Sequence, residues 1–96
     1  MFVVIFKAEA KEFDMAYRET ADRMRELALN QYGCQGMESV FEDGKEITLS
    51  YWLSEDDIKN WKNNMEHLLA QKKGAEEWYR SYQVEIAEIK RGYQSK

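Results

Sequence analysis

From Ile47 to Leu53 the chain alternates with a period of two. Ile47, Leu49, Tyr51 and Leu53 fall on one face, and Thr48, Ser50 and Trp52 on the other. Alternation of this kind in β-branched and aromatic residues predicts a strand. Trp52 leaves the second face only partly polar, which suits a sheet covered by helices on one side and by something else on the other. Ser54 stops the strand. Its hydroxyl can accept from the backbone N–H of Asp57, and Glu55, Asp56 and Asp57 favour the positive end of a helix dipole. Beyond it the period changes to that of a helix. Ile58, Trp61, Met65, Leu68 and Leu69 form one stripe, Asn60, Asn64 and Gln71 run along its flank, and His67 lies further round.

The other segments follow the same two periods. Phe2 to Ala8 is an apolar run with one charge, Lys7, short enough for a strand buried on both faces. Phe13 to Asn30 is amphipathic at helical spacing, with Phe13, Tyr17, Thr20, Ala21, Met24, Leu27 and Ala28 on one face. Arg18–Asp22 and Glu19–Arg23 are opposite charges four residues apart on the exposed side. Tyr32-Gly33 ends that helix. Met37 to Glu42 is a short strand, and Asp43-Gly44 predicts a hairpin: a two-residue turn pairs Val40 with Ile47 and Met37 with Ser50, and a longer loop shifts that register. After Gly74, Ala75 to Tyr82 predicts a short third helix carrying Trp78 and Tyr79. Val84, Ile86, Ala87 and Ile89 form a last strand whose parity changes at Ala87, through a bulge or through burial of both faces.

The order is ferredoxin-like, βαββαβ with an extra short helix: an α+β fold with an antiparallel sheet and two helices on one face. In the predicted register Trp52, Phe41 and Met37 share one side of the sheet. An apolar patch of that kind predicts an interface, and two such sheets face to face make a dimeric α+β barrel.

The chain has 96 residues and 44% hydrophobic positions, which fits one globular domain over residues 1–96. So short a domain buries a modest share of its surface, so a partner subunit would help. A net charge of −4 and only short basic pairs, Lys72–Lys73 and Lys90–Arg91, argue against nucleic acid as a partner. The sequence has no apolar run long enough to span a membrane and no signal-peptide pattern at its start. Cys34 is the sole cysteine. It excludes an internal disulfide, points to a reducing cytoplasm and reads as a structural residue. Metal-ligand spacing, a glycine-rich phosphate loop and a nucleophile elbow are all missing, which removes structural zinc, Rossmann-type dinucleotides and the common serine hydrolases; catalysis that needs no cofactor stays open, and no cofactor is expected.

The stretches ITLSYWLS, IKNWKNNMEHLLAQ and EEWYRSYQVEIAEI, with FVVIFKAE and RMRELALNQYGCQGMES before them, resemble the antibiotic-biosynthesis monooxygenase-like family over nearly the whole chain. The resemblance is nearest to a small branch with an SYW…WK-N-EH-AQ…WY pattern. It implies a dimeric α+β barrel. Characterised members of that family include cofactor-independent oxygenases of polycyclic quinols and haem-degrading enzymes, and other members have no known reaction. The haem-degrading members carry a first-strand asparagine, a tryptophan on the second main helix and a histidine some three turns beyond it. Trp61 fits the tryptophan. Gln71 stands where the histidine would be, His67 comes a turn too early, and Phe2 to Ala8 has no asparagine.

A cofactor-free oxygenase must hold a flat aromatic molecule in a dry pocket, remove a proton and stabilise the anion. Trp61, Met65, Tyr51 and Trp78 are candidate walls, and Gln71 a hydrogen-bond donor to the substrate. Asn64 is the candidate for holding the anion. His67, the imidazole titrating nearest neutrality, is the candidate base. The competing readings are core packing for Trp61, core or dimer interface for the other aromatic residues, and a solvated helix surface for His67 and the amides. A non-enzymatic dimeric module that binds a small molecule is the alternative function.

Overall fold

The structure is a computed structural model that describes residues 1–11, 14–72 and 78–95, with the side chains of residues 67–72 outside it. The elements are β1 (Phe2–Ala10), α1 (Met15–Gln31), β2 (Cys34–Glu42), β3 (Lys45–Trp52), α2 (Glu55–Lys72) and β4 (Tyr79–Glu88). The strands form one four-stranded sheet in the order β2-β3-β1-β4, antiparallel throughout. This is the βαββαβ arrangement that the two periods predict.

Asp14, which the sequence reading did not single out, caps α1: its Oδ1 accepts from the Tyr17 N–H at 2.8 Å. The Ser54, Gly33 and Asp43-Gly44 signals act as expected. The Asp57 N–H donates to the Ser54 hydroxyl at 3.1 Å and starts α2. Gly33 leaves α1 at φ 85°, the left-handed region open to glycine. Asp43 (φ 50°) and Gly44 (φ 76°) make the tight hairpin turn, and Met37 pairs with Ser50 and Val40 with Ile47. Cys34 is buried and its thiol donates to the Gly36 carbonyl at 3.1 Å, a structural role.

Three local expectations change. Tyr79 to Tyr82 is strand rather than helix. Tyr79 pairs with Ala10 and Tyr82 with Ala8, and the extra residue, Arg80, bulges opposite Glu9 and Ala10. The aromatic spacing that suits a helix also suits an edge strand, and pairing with β1 decides between them. Residues 75–77 of that expected helix, like Phe13 of the first, lie outside the described residues. The parity change at Ala87 is neither a bulge nor double burial: pairing runs without a break from Glu88 to Ser81, and these residues are exposed. Among the described residues the ion pairs are Arg23–Glu26 (3.6 Å) and Lys62–Glu66 (3.9 Å), not Arg18–Asp22 or Glu19–Arg23.

The largest correction concerns which side of the sheet the helices cover. Glu46, Thr48, Ser50 and Trp52 face them, and Trp52 is fully buried. It packs with Ala28 of α1 and with Ile58 and Trp61 of α2, and its indole N–H donates to the Ser50 hydroxyl at 2.9 Å. Met37 joins that core. The patch of Trp52, Phe41 and Met37 therefore lies on the helix-facing side, where Trp52 is fully buried within the chain and Phe41 is exposed. The opposite face carries Val3, Ile5, Val40, Ile47, Leu49 and Tyr51, with Val40 64% and Ile47 41% exposed. A period of two separates the faces of a strand without saying which one meets a helix. The bulk of Trp52, and an acceptor for its N–H two residues earlier on the same face, decide it here.

A second core cluster lies towards the other end of the sheet: Ala8, Tyr17, Trp78 and Tyr79, with Phe6 and Ala21 against it. Tyr17 stands edge-on to Trp78 (5.4 Å between ring centres) and to Tyr79 (5.9 Å). The Lys11 N–H donates to the Trp78 carbonyl at 2.7 Å and ties the start of β4 to the end of β1.

Candidate functional site

Between α2 and the helix-facing side of the sheet lies a cavity of about 350 Å³. Val4, Phe6, Val84 and Ile86 form its floor, Ile58, Trp61 and Met65 its roof, and Tyr79 and Tyr82 one wall. Its polar lining residues are few: Thr48 and Ser50 on β3, Tyr79 and Tyr82 on β4, and Lys62 and Glu66 on α2. Trp61 is placed by stacking against Trp52 (6.3 Å) and by Tyr32 (5.5 Å) on its other side. An apolar cleft with a few directed polar groups is the ordinary form of a small-molecule site.

A second hollow of about 290 Å³ lies between α1 and the sheet. Phe6, Met37, Thr48, Trp61 and Tyr79 border both spaces. Here Glu46, which the sequence reading passed over, is buried with 6% exposure. The Tyr17 hydroxyl donates to its Oε1, and the Thr48 hydroxyl to its Oε2 at 2.6 Å. Tyr79 in turn donates to the Tyr17 hydroxyl at 3.2 Å. Burial above all, and then the hydrogen bond to Glu46, push the Tyr17 hydroxyl far above its usual titration range. Burial, followed by the charge of Glu46, does the same to Tyr79. Both hydroxyls stay protonated at every physiological pH. The signal available in sequence was parity: Glu46 shares its face with Trp52, so burial of Trp52 implies burial of Glu46.

The residues nominated from sequence divide. Trp61 and Met65 line the cavity. Asn64 does not border it. With Asn60, Asn63, Asp57 and Gly33 it lines a separate, open hollow of about 760 Å³ beside the end of α1, where its amide nitrogen is enclosed without an acceptor among the described residues. Tyr51 sits on the far face of the sheet, opposite Val3. Trp78 is buried against Tyr17, in the second cluster. His67 and Gln71 are on α2, and their side chains lie outside the described ones. Among the described residues no group of His, Cys, Asp and Glu gathers to hold a metal.

No protein-family model matches the chain. The uncharacterized protein YqjZ of Bacillus subtilis (strain 168) is 47% identical over 91 residues, covering 94% of this chain and 80% of YqjZ. This chain belongs to the YqjZ family. Its fold is that of the antibiotic-biosynthesis monooxygenase-like proteins. SnoaB, a cofactor-independent oxygenase from Streptomyces nogalater, superposes with a TM-score of 0.78 over 98% of this chain and 97% of its own, at 8% identity. MhuD, solved with two manganese protoporphyrin IX molecules per active site, superposes with a TM-score of 0.59 over 97% and 99%, at 17% identity. The same fold thus serves an oxygenase in SnoaB and holds manganese protoporphyrin IX in MhuD, so the fold alone does not assign a ligand. For a haem, the described lining supplies no imidazole or thiolate as an axial ligand, and β1 has no asparagine.

Proposed function

We propose that this protein is a cofactor-independent monooxygenase-type oxidoreductase that acts, as a homodimer, on a flat aromatic or quinol-like small molecule. The observation that carries the reading is the cavity under α2, walled by Trp61, Met65, Phe6, Tyr79 and Tyr82. Its likeness in fold to SnoaB supports the reaction class. In such a reaction the electron-rich substrate, once deprotonated, supplies the electrons to O₂. The protein excludes water, orients the ring and takes the proton.

The sequence nominates His67 for the proton and Asn64 for the anion. Oxygen uptake with a panel of quinols tests the reading. Wild-type protein should consume oxygen in proportion to quinol oxidised, and Met65→Trp, which fills the cavity, should abolish it. Absence of uptake with every quinol, together with no quenching of tryptophan fluorescence by any of them, would sink the proposal. His67→Ala should slow turnover roughly 10²–10⁴-fold if the imidazole is the base. Unchanged turnover assigns the proton to another group.

The dimer part of the reading rests on the uncovered sheet face. Val3, Ile5, Val40, Ile47, Leu49 and Tyr51 make a band across three strands, with polar and charged positions such as Lys7, Glu38 and Glu85 around it. A band of this kind, rimmed by charge, suits a second copy of the same face.

A further inference from the structure

The hydroxyls around Glu46 all point one way. Tyr79 donates to Tyr17 and Tyr17 to Glu46 Oε1. On the other side Thr48 donates to Oε2 (2.6 Å), so the contact between Ser39 and Thr48, also 2.6 Å, has Ser39 as donor. Two hydroxyl chains thus converge on one buried carboxylate. A chain whose protons all point towards the acceptor can pass a proton along itself without any group having to turn over. Glu46 has room to stand inside the sheet's covered face because its neighbour across the pair is Ala8, a small residue. Its two oxygens are held by hydroxyls from α1 and from its own strand. The charged groups that border the same hollow from α1 are Asp22 and Arg25, and those that border the main cavity from α2 are Lys62 and Glu66.

Only two members of the network border both spaces, Thr48 and Tyr79. The Thr48 oxygen already accepts from Ser39. Tyr79 donates its own proton inward and keeps acceptor capacity on its oxygen. We propose that Glu46 is the terminal proton acceptor for a phenolic hydroxyl bound in the cavity, reached through Tyr79 and Tyr17. The step balances. The substrate O–H bond breaks and a new O–H forms on Tyr79, the Tyr79 proton passes to Tyr17, and the Tyr17 proton passes to Glu46 Oε1. The substrate is left as an oxyanion and Glu46 as a neutral acid, with the charge of the site unchanged. No redox partner is involved. The substrate class, a hydroxylated aromatic ring, rests on the proposed function. The relay itself does not need the later reaction with oxygen.

The test uses para-nitrophenol, which cannot be oxidised as a quinol is and whose phenolate absorbs at longer wavelength than the phenol. Binding is read by quenching of tryptophan fluorescence, at a pH where the free probe is protonated. Wild-type protein should bind the probe and show the phenolate band. Glu46→Gln, which keeps an oxygen for Tyr17, and Tyr79→Phe, which removes one hydroxyl at the cavity end, should bind it without that band. The relay is overturned if the wild type leaves the probe unbound or bound as the phenol, or if the band survives in Glu46→Gln. With a quinol, Glu46→Gln should lower kcat roughly 10²–10⁴-fold and leave KM little changed. A wild type that ionises the probe but consumes no oxygen would end the oxidation reading and keep the relay. Equal oxygen uptake by wild type and Glu46→Gln would end the relay and keep the oxidation reading.

Discussion

Trp52 is the residue on which the covered side of the sheet turns. It is fully buried among Ala28, Ile58 and Trp61, and its N–H is satisfied by Ser50. Trp52→Ala should cost roughly 3–5 kcal/mol, the usual range for opening a cavity of that size. A melting curve that shifts by only a degree or two would contradict this packing. Ser50→Ala is subtler, since it removes little volume but orphans a buried indole N–H. We expect a loss of about 1–3 kcal/mol from denaturant unfolding, well above what the lost hydroxyl would cost at the surface. That Trp61 and Met65 line the cavity was legible, because helical spacing alone puts them on the stripe facing the sheet. The far-face position of Tyr51 and the burial of Glu46 were not. Alternation set Tyr51 apart from Trp52 correctly, but only the bulk of Trp52 against the helices shows which set lines the cavity.

At the scale of elements, short-range chemistry decided most of the boundaries. The Ser54 cap, the Gly33 exit and the Asp43-Gly44 turn are each satisfied by contacts within a few residues, so each could be read locally. Gly44 has φ 76° and open space around the position of a Cβ, its nearest neighbour being the Ala10 carbonyl at 4.0 Å. Gly44→Ala should therefore act through backbone strain alone, costing about 1–2 kcal/mol. It should leave the cavity's affinity for a probe unchanged, which fluorescence titration would check. The start of β4 was not legible in the same way. Trp78 is helical as expected, but Tyr79 and Tyr82 have a spacing compatible with a helix or an edge strand, and the choice comes from β1, nearly seventy residues earlier in the chain.

The tyrosine pair makes a prediction for the whole molecule. Folding raises the titration of Tyr17 and Tyr79 above their ordinary value of 10.0. The folded state then holds protons that the unfolded chain releases above that pH, so the stabilisation is complete below pH 10.0 and is lost as the pH climbs towards the folded values. Unfolding free energy should fall by about 1.4 kcal/mol per pH unit for each tyrosine in that alkaline range. Tyr79→Phe should roughly halve the slope, and an unaltered slope would show that the buried network does not govern alkaline stability. The open sheet face gives the second prediction. Leu49→Asp places a charge at the centre of the apolar band and should convert a dimer to a folded monomer in sedimentation, with little change in secondary structure by circular dichroism. A specific dimer should bury on the order of 1,000 Å² or more. A wild-type protein that sediments at 11.5 kDa at micromolar concentration would remove the dimer from the proposed function.

The sequence by itself determined the element order, the Ser54 cap, the Gly33 exit and the apolar stripe of α2, and it offered the hairpin register as that of a two-residue turn. These depend on periodicity and on hydrogen bonds between near neighbours, and both are written along the chain. It also separated the two faces of β3. Only the tertiary structure decided which face the helices cover, because burial is settled by how α1 and α2 pack on the assembled sheet, with Trp52 filling the gap beneath them. The same packing brings Tyr17, Glu46 and Tyr79 into one network from α1, β3 and β4, and turns Asn64 towards a hollow away from Trp61. Residues 29 and 62 positions apart share a hydrogen bond here, and no local pattern encodes such a meeting.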